Sequence, residues 1–130
     1  MHCELFDKIN MSSDIRSYRD LKVWKLSREL VKLIYEITVS FPRNEQYGLS
    51  EQLRRAAISI PSNIAEGQRR STRADFRRFI SIALGSTAEI ETQILLAIDL
   101  KMVKEKDVLD IQQKADDIAK MLFSLYKKLE

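Results

Sequence analysis

Apolar residues recur along this chain at steps of three and four in four separate stretches. In the first, Val23, Ser27, Leu30, Ile34, Ile37 and Phe41 form a heptad seam, which predicts a helix over residues 20–40. Trp24, Val31 and Tyr35 lie about 100° to one side of that seam, and Leu26 and Leu33 flank the other. The apolar face is therefore wider than one bundle seam requires. Pro42 disfavours the helical conformation at Phe41 and stops the helix.

The second stretch places Leu53, Ala56, Ala57, Ile60 and Ile64 on one face and predicts a helix over 50–67. Pro61 sits inside it. Proline has no N–H and its ring presses on the carbonyl of Ala57, so a kink is expected there. Ser59 and Asn63 are placed to satisfy the backbone groups that the kink frees. Gly67 is expected to end this helix in the left-handed conformation.

Thr72 reads as the N-cap of a third helix, with Asp75 at the third position, where a carboxylate meets free N–H groups. That helix is predicted over 73–100, with Phe76, Phe79, Ile80, Ala83, Thr87, Ile90, Ile94 and Ile98 as its core stripe. A second stripe, Ile82, Gly85, Glu89 and Leu96, runs along its back, with Leu84 and Leu95 on a flank. A lone bundle would leave these exposed, and a mid-helix glycine suits something packing closely against it. The fourth helix is predicted from residue 105 to the end, with Val108, Ile111, Ala115, Ile118, Leu122, Leu125 and Leu129 at strict three–four spacing. Its other face mixes Lys106, Lys114 and Lys120 with Asp110 and Asp117, which marks a solvated surface.

Breaks at 42–49, 68–72 and 101–104 are short, so sequential helices should return antiparallel. The expected fold is all-α: an antiparallel up-down-up-down four-helix bundle, with helix 2 kinked at Pro61. Residues 1–17 show no sustained period and are expected to form a flexible arm. Residues 18–130 form the bundle domain, and Met11 offers a second start.

Composition narrows the chemistry. A single cysteine, Cys3, excludes an internal disulfide and a cysteine-based zinc site. The single histidine, His2, removes the Glu-x-x-His pairs of a di-iron bundle. No metal or cofactor is expected. Glu66, Glu89 and Glu91 are the only carboxylates placed to act together, and no His, Cys or phosphate loop accompanies them, so no catalytic residues are assigned. No long apolar run or signal peptide stands out, which gives a cytoplasmic protein with no membrane partner as the expectation.

Charge is concentrated at the middle of the chain. Between Glu51 and Arg78, seven arginines face three acids and give +4, leaving −1 for the remainder, so the whole net charge of +3 arises there. Arginine binds phosphate and carboxylate bidentately, which lysine cannot do. The joint between helices 2 and 3 frees side chains from the core and adds the positive end of helix 3. Arg69, Arg70 and Arg73 are thus the strongest candidates for binding nucleic-acid phosphate. Arg77 extends the track, and Arg54 and Arg55 are weaker choices. Few aromatics interleave with these residues, so base stacking is not expected. In a second reading the arginines serve subunit contacts, pairing with Glu66, Asp75, Glu89 and Glu91. In a third the protein is a scaffold or adaptor for a protein partner.

The run Tyr47-Gly48-Leu49, Gln52-Leu53-Arg54-Arg55-Ala56-Ala57, Ser59-Ile60 and Asn63-Ile64-Ala65-Glu66-Gly67 resembles the bacterial 23S rRNA-intervening sequence proteins, also called S23 ribosomal proteins. Phe76, Phe79, Ile82-Ala83, Gly85-Ser86 and Glu89-Ile90-Glu91-Thr92 extend the likeness. The resemblance implies a four-helix bundle assembled as a homopentamer. It also implies kinship with the accessory protein of diversity-generating retroelements, which binds nucleic acid and a reverse transcriptase. Lys101 stands where that family is expected to carry a glycine after helix 3, which makes the helix end less favourable. Independently of the resemblance, the surplus apolar surface predicts a homo-oligomer with Trp24, Ile82, Gly85, Glu89 and Leu96 at the contact.

Overall fold

The computed structural model describes residues 17–45 and 48–130. The expectations for the N-terminal arm, His2, Cys3 and Met11 lie outside the described residues. Four helices carry the core: α1 (Lys22–Thr38), α2 (Leu49–Gln68), α3 (Arg73–Asp99) and α4 (Leu109–Lys128). There is no strand among the described residues. Each helix packs on its chain neighbours, and α4 closes the ring against α1, while the diagonal pairs barely meet. This is the expected antiparallel four-helix arrangement.

The seams read from spacing are the buried faces. Every predicted core position of α2 is buried, as are all those of α4 with its flanking Val108 and Leu129. In α1, Thr38 is fully buried and Ile37 only half-buried. A threonine can occupy that place because its hydroxyl donates to the Ile34 carbonyl at 2.7 Å. In α3, Ser86 and Ala97 join the core and Ile98 is half-buried.

α2 continues as a helix through Pro61. Spanning the proline, the Asn63 amide donates to the Ser59 carbonyl at 2.7 Å and to its hydroxyl at 2.9 Å. Ser86 of α3 donates to the same Ser59 hydroxyl at 2.8 Å. The Ser59–Asn63–Ser86 cluster thus ties the proline turn to the neighbouring helix.

Two expectations need correction. Gly67 does not adopt a left-handed conformation: it is buried inside α2, and no glycine has a positive φ among the described residues. The helix end is a tight right-handed turn, with Arg69 N–H on the Ala65 carbonyl and Arg70 N–H on the Gly67 carbonyl. Glycine is needed there for space. A Cβ would stand 2.7 Å from Phe79 Cβ and 3.0 Å from a Phe76 ring carbon. The fourth helix also does not begin at residue 105. A 3-10 turn, Glu105–Asp107, comes first, and the α-helix starts at Leu109 because Val108 holds φ −117° and ψ 8°.

The apolar content of α3 exceeds what its core stripe needs, as the second stripe in its sequence predicts. By length and composition α3 is apolar enough to pass, marginally, as a membrane span, a test that the core helix of a bundle also passes. The surplus is the back stripe: Ile82, Leu95 and Leu96 are 42%, 54% and 44% exposed.

Candidate nucleic-acid interface

The joint after α2 brings several arginines to one end of the bundle. Thr72 caps α3 by accepting from the Asp75 N–H at 3.1 Å, as its sequence position predicts. Asp75 lies in the first turn of α3. Its carboxylate takes part of the positive field that would otherwise favour an incoming phosphate.

Arg69 and Arg70 are both exposed. The Arg69 guanidinium lies 5.6 Å from the centre of the Tyr18 ring, so the turn before α1 reaches the same end. Arg70 pairs with Glu66 at 2.9 Å across one helical turn, and its guanidinium is 4.8 Å from the Phe79 ring centre. Arg78 approaches the same ring to 4.5 Å. Such exposed pairs hold side chains loosely, at about 0–1 kcal/mol, and can re-form around another anion.

Arg73 and Arg77 do something different. Arg73 Nη2 donates to the main-chain oxygens of Lys128 and Glu130, at 2.9 and 3.4 Å. Arg77 Nε donates to the Tyr126 carbonyl at 3.1 Å, while its Nη2 meets Glu130 Oε1 at 3.2 Å. Its guanidinium lies 3.7 Å from the centre of the Tyr126 ring. The last carbonyls of a helix lack intrahelical donors and carry the negative end of its dipole. Two arginines of α3 therefore cap the C-terminal end of α4.

Arg54 and Arg55 lie elsewhere. They stand about 15 residues before Arg69 on the same helix, or about 22 Å along its axis. Arg54 Nε donates to the buried Thr38 hydroxyl at 2.9 Å and its guanidinium covers the Tyr35 ring at 4.7 Å, fastening α2 to α1. Arg55 is exposed. The six candidates thus form no single cluster: Arg69 and Arg70 are presented, Arg73 and Arg77 are engaged with α4, and Arg54 and Arg55 lie towards the opposite end.

Sequence reading missed Arg19, Lys25 and Arg28. They line an open hollow with Tyr18 and Trp24, next to Arg69 in space but distant in sequence. The Tyr18 and Trp24 rings meet edge to face, with centres 5.2 Å apart, and the Arg28 guanidinium sits 5.2 Å from the Trp24 ring. The expected poverty of aromatics around the arginines holds along the chain but not on the surface. The remaining oligomer candidates, Ile82, Gly85, Glu89 and Leu96, are all exposed on α3, and Trp24 is half-buried on α1.

A model of the 23S rRNA-intervening sequence protein family matches residues 19–124. Among solved structures, a protein of unknown function from the S23 ribosomal protein family of Bacteroides thetaiotaomicron is similar. It is 31% identical, with a TM-score of 0.71, over 81% of this chain and 98% of its own. No curated protein matches.

Proposed function

The chain belongs to the family of 23S rRNA-intervening sequence proteins, and from that premise we propose that it is a non-enzymatic oligomeric protein that binds the phosphate backbone of RNA or DNA. The contact is made by Arg69 and Arg70 at the α2–α3 joint, with Arg78 and Arg19 beside them. One observation carries the reading: these cations stand exposed on one end of the bundle, while the arginines next to them are already engaged in fixing α4. Arg73 and Arg77 then serve as supports that hold the surface in shape. Arg54 and Arg55 contribute only where a long strand continues along α2.

Assembly multiplies this surface. We propose a homo-oligomer, a pentamer on the family resemblance, formed through the apolar back of α3 and the Trp24 flank of α1. Repeated weak contacts give a long strand far more affinity than a short one. A reverse transcriptase enters as a partner only through the retroelement kinship. The second reading, a scaffold with structural arginines, is favoured by the bonds of Arg54, Arg73 and Arg77 within the chain.

An anisotropy assay with long and short single strands separates the two readings. The parent should bind long strands at low salt and release them as salt rises. Arg69→Ala with Arg70→Ala should lose most binding while keeping its fold and oligomer. Absence of binding by the parent at low salt, or equal binding by this double variant, leaves the scaffold reading in place.

A further inference from the structure

The turn before α1 and the start of α1 form an open hollow lined by Tyr18, Arg19, Trp24, Lys25 and Arg28. Two hydrogen bonds fix that turn. The Ser17 hydroxyl accepts from the Arg19 N–H at 3.2 Å, and the Asp20 carboxylate accepts from the Ser17 N–H at 3.3 Å. The turn holds the Tyr18 ring edge to face with Trp24, their centres 5.2 Å apart. Both rings are half-buried: each packs in part on the core and lines the hollow with the rest.

No carboxylate is among the described lining residues. Arg19, Lys25 and Arg28 are exposed, and none of them is in an ion pair among the described residues. The Arg28 guanidinium stands 5.2 Å from the centre of Trp24, and that of Arg69 stands 5.6 Å from the centre of Tyr18. Arg77, by contrast, is packed on Tyr126 at 3.7 Å. At the longer distances the cations approach the two rings without being packed on them. An exposed arginine can swing back and let a flat ring lie on the aromatic surface.

Aromatic surface beside unpaired cations suits one nucleotide of a single strand, whose base stacks while its phosphates meet the cations. A duplex offers the phosphates but keeps its bases stacked on one another. We propose that the Tyr18–Trp24 hollow is a stacking subsite for an unpaired base of single-stranded RNA or DNA, with Arg19, Lys25 and Arg28 on the flanking phosphates and the strand continuing to Arg69. Every base has a π-face, so the subsite selects single strands over duplex and does not read sequence. This rests on the phosphate binding proposed above and adds a second element to it. The proposed subunit contact can run along Val31 and Tyr35, about two and three turns farther along α1, and leave the Trp24 ring uncovered.

Trp24 is the only tryptophan in the chain, so its emission reports the subsite directly. The probes are an oligothymidylate, an abasic strand of the same length, a duplex of that length and thymidine monophosphate. The oligothymidylate should quench Trp24 and bind about tenfold or more tightly than the abasic strand. The duplex should bind through its phosphates and leave the emission unchanged. Trp24→Leu, which keeps apolar volume against the core, should bind both strands alike. Trp24→Phe, which keeps a stacking face, should retain the preference. Circular dichroism establishes that both variants are folded, and the comparisons made on the parent hold even where Trp24→Leu does not fold.

Equal binding of the two strands with unchanged emission overturns the subsite and leaves phosphate binding at Arg69 and Arg70 standing. Quenching by the duplex as strong as by the single strand overturns the preference for unpaired bases. Thymidine monophosphate quenching as well as the strand at equal nucleotide concentration overturns the strand as the ligand. Emission that changes on protein dilution but not with the strand assigns Trp24 to a subunit contact and overturns the subsite. Binding of neither strand at low salt overturns the phosphate reading, and the subsite with it.

Discussion

Three backbone positions show how single residues set the shape of this bundle. Lys101 has φ 62°, the left-handed region that favours glycine. Its N–H bonds to the Ile98 carbonyl and the Met102 N–H reaches back to Ala97, both at 2.9 Å, which is a Schellman ending built on a lysine. Lys101→Gly should relieve about 1 kcal/mol of strain and raise the melting temperature by a few degrees. Gly67→Ala should do the reverse. The new methyl meets Phe79 Cβ within 2.7 Å, and the overpacked α2–α3 contact should lose about 1–3 kcal/mol in denaturant titration. Gly85→Ala, with open space around it, should stabilise the isolated protomer by about 1 kcal/mol. Gly85→Leu should dissociate the oligomer with helical content intact, as read by light scattering and circular dichroism. All three positions draw the eye in the sequence, but their reasons differ. Gly67 marks a close approach to phenylalanines 9 and 12 residues later, and spacing within one helix cannot report a contact made by another.

At the scale of the helices, the sequence carried most of the fold. The seams of α2 and α4 are buried as their periodicity predicts, because a three–four spacing of apolar residues leaves a helix little choice of face. The end of α4 was not legible. Arg77 reaches Tyr126 across 49 residues of chain and Arg73 reaches Lys128 across 55. A local pattern shows only that these arginines are near the joint. Arg73→Ala or Arg77→Ala should destabilise the protein by about 1–2 kcal/mol, since a charged donor at a helix C-terminus is lost. Amide exchange should accelerate in the last turn of α4 before it does elsewhere. Arg69→Ala should leave both unchanged. The late start of α4 has a similar cause. The apolar spacing continues through Val108, while the backbone around it forms a 3-10 turn that the pattern does not encode.

For the whole molecule, the same separation of roles decides what the charge does. Net charge located the cationic region, but folding divides it: part caps α4, part clasps α1, and part stays exposed at the joint. The fold also adds Arg19, Lys25 and Arg28 from α1 and the turn before it, beside aromatic rings that the linear order keeps apart. In the proposed interface Arg69 and Arg70 contact phosphate, while Arg73 is a support. The most direct test is the slope of log affinity against log salt for a long single-stranded RNA, measured for the parent, Arg69→Ala with Arg70→Ala, and Arg73→Ala. Each phosphate contact contributes about 0.7 to the slope on a single strand. The double variant should lose about 1.4 or more in slope as well as affinity, whereas Arg73→Ala, assayed below its melting temperature, should keep the parent slope. A slope unchanged in the double variant, or reduced most in Arg73→Ala, would contradict these roles.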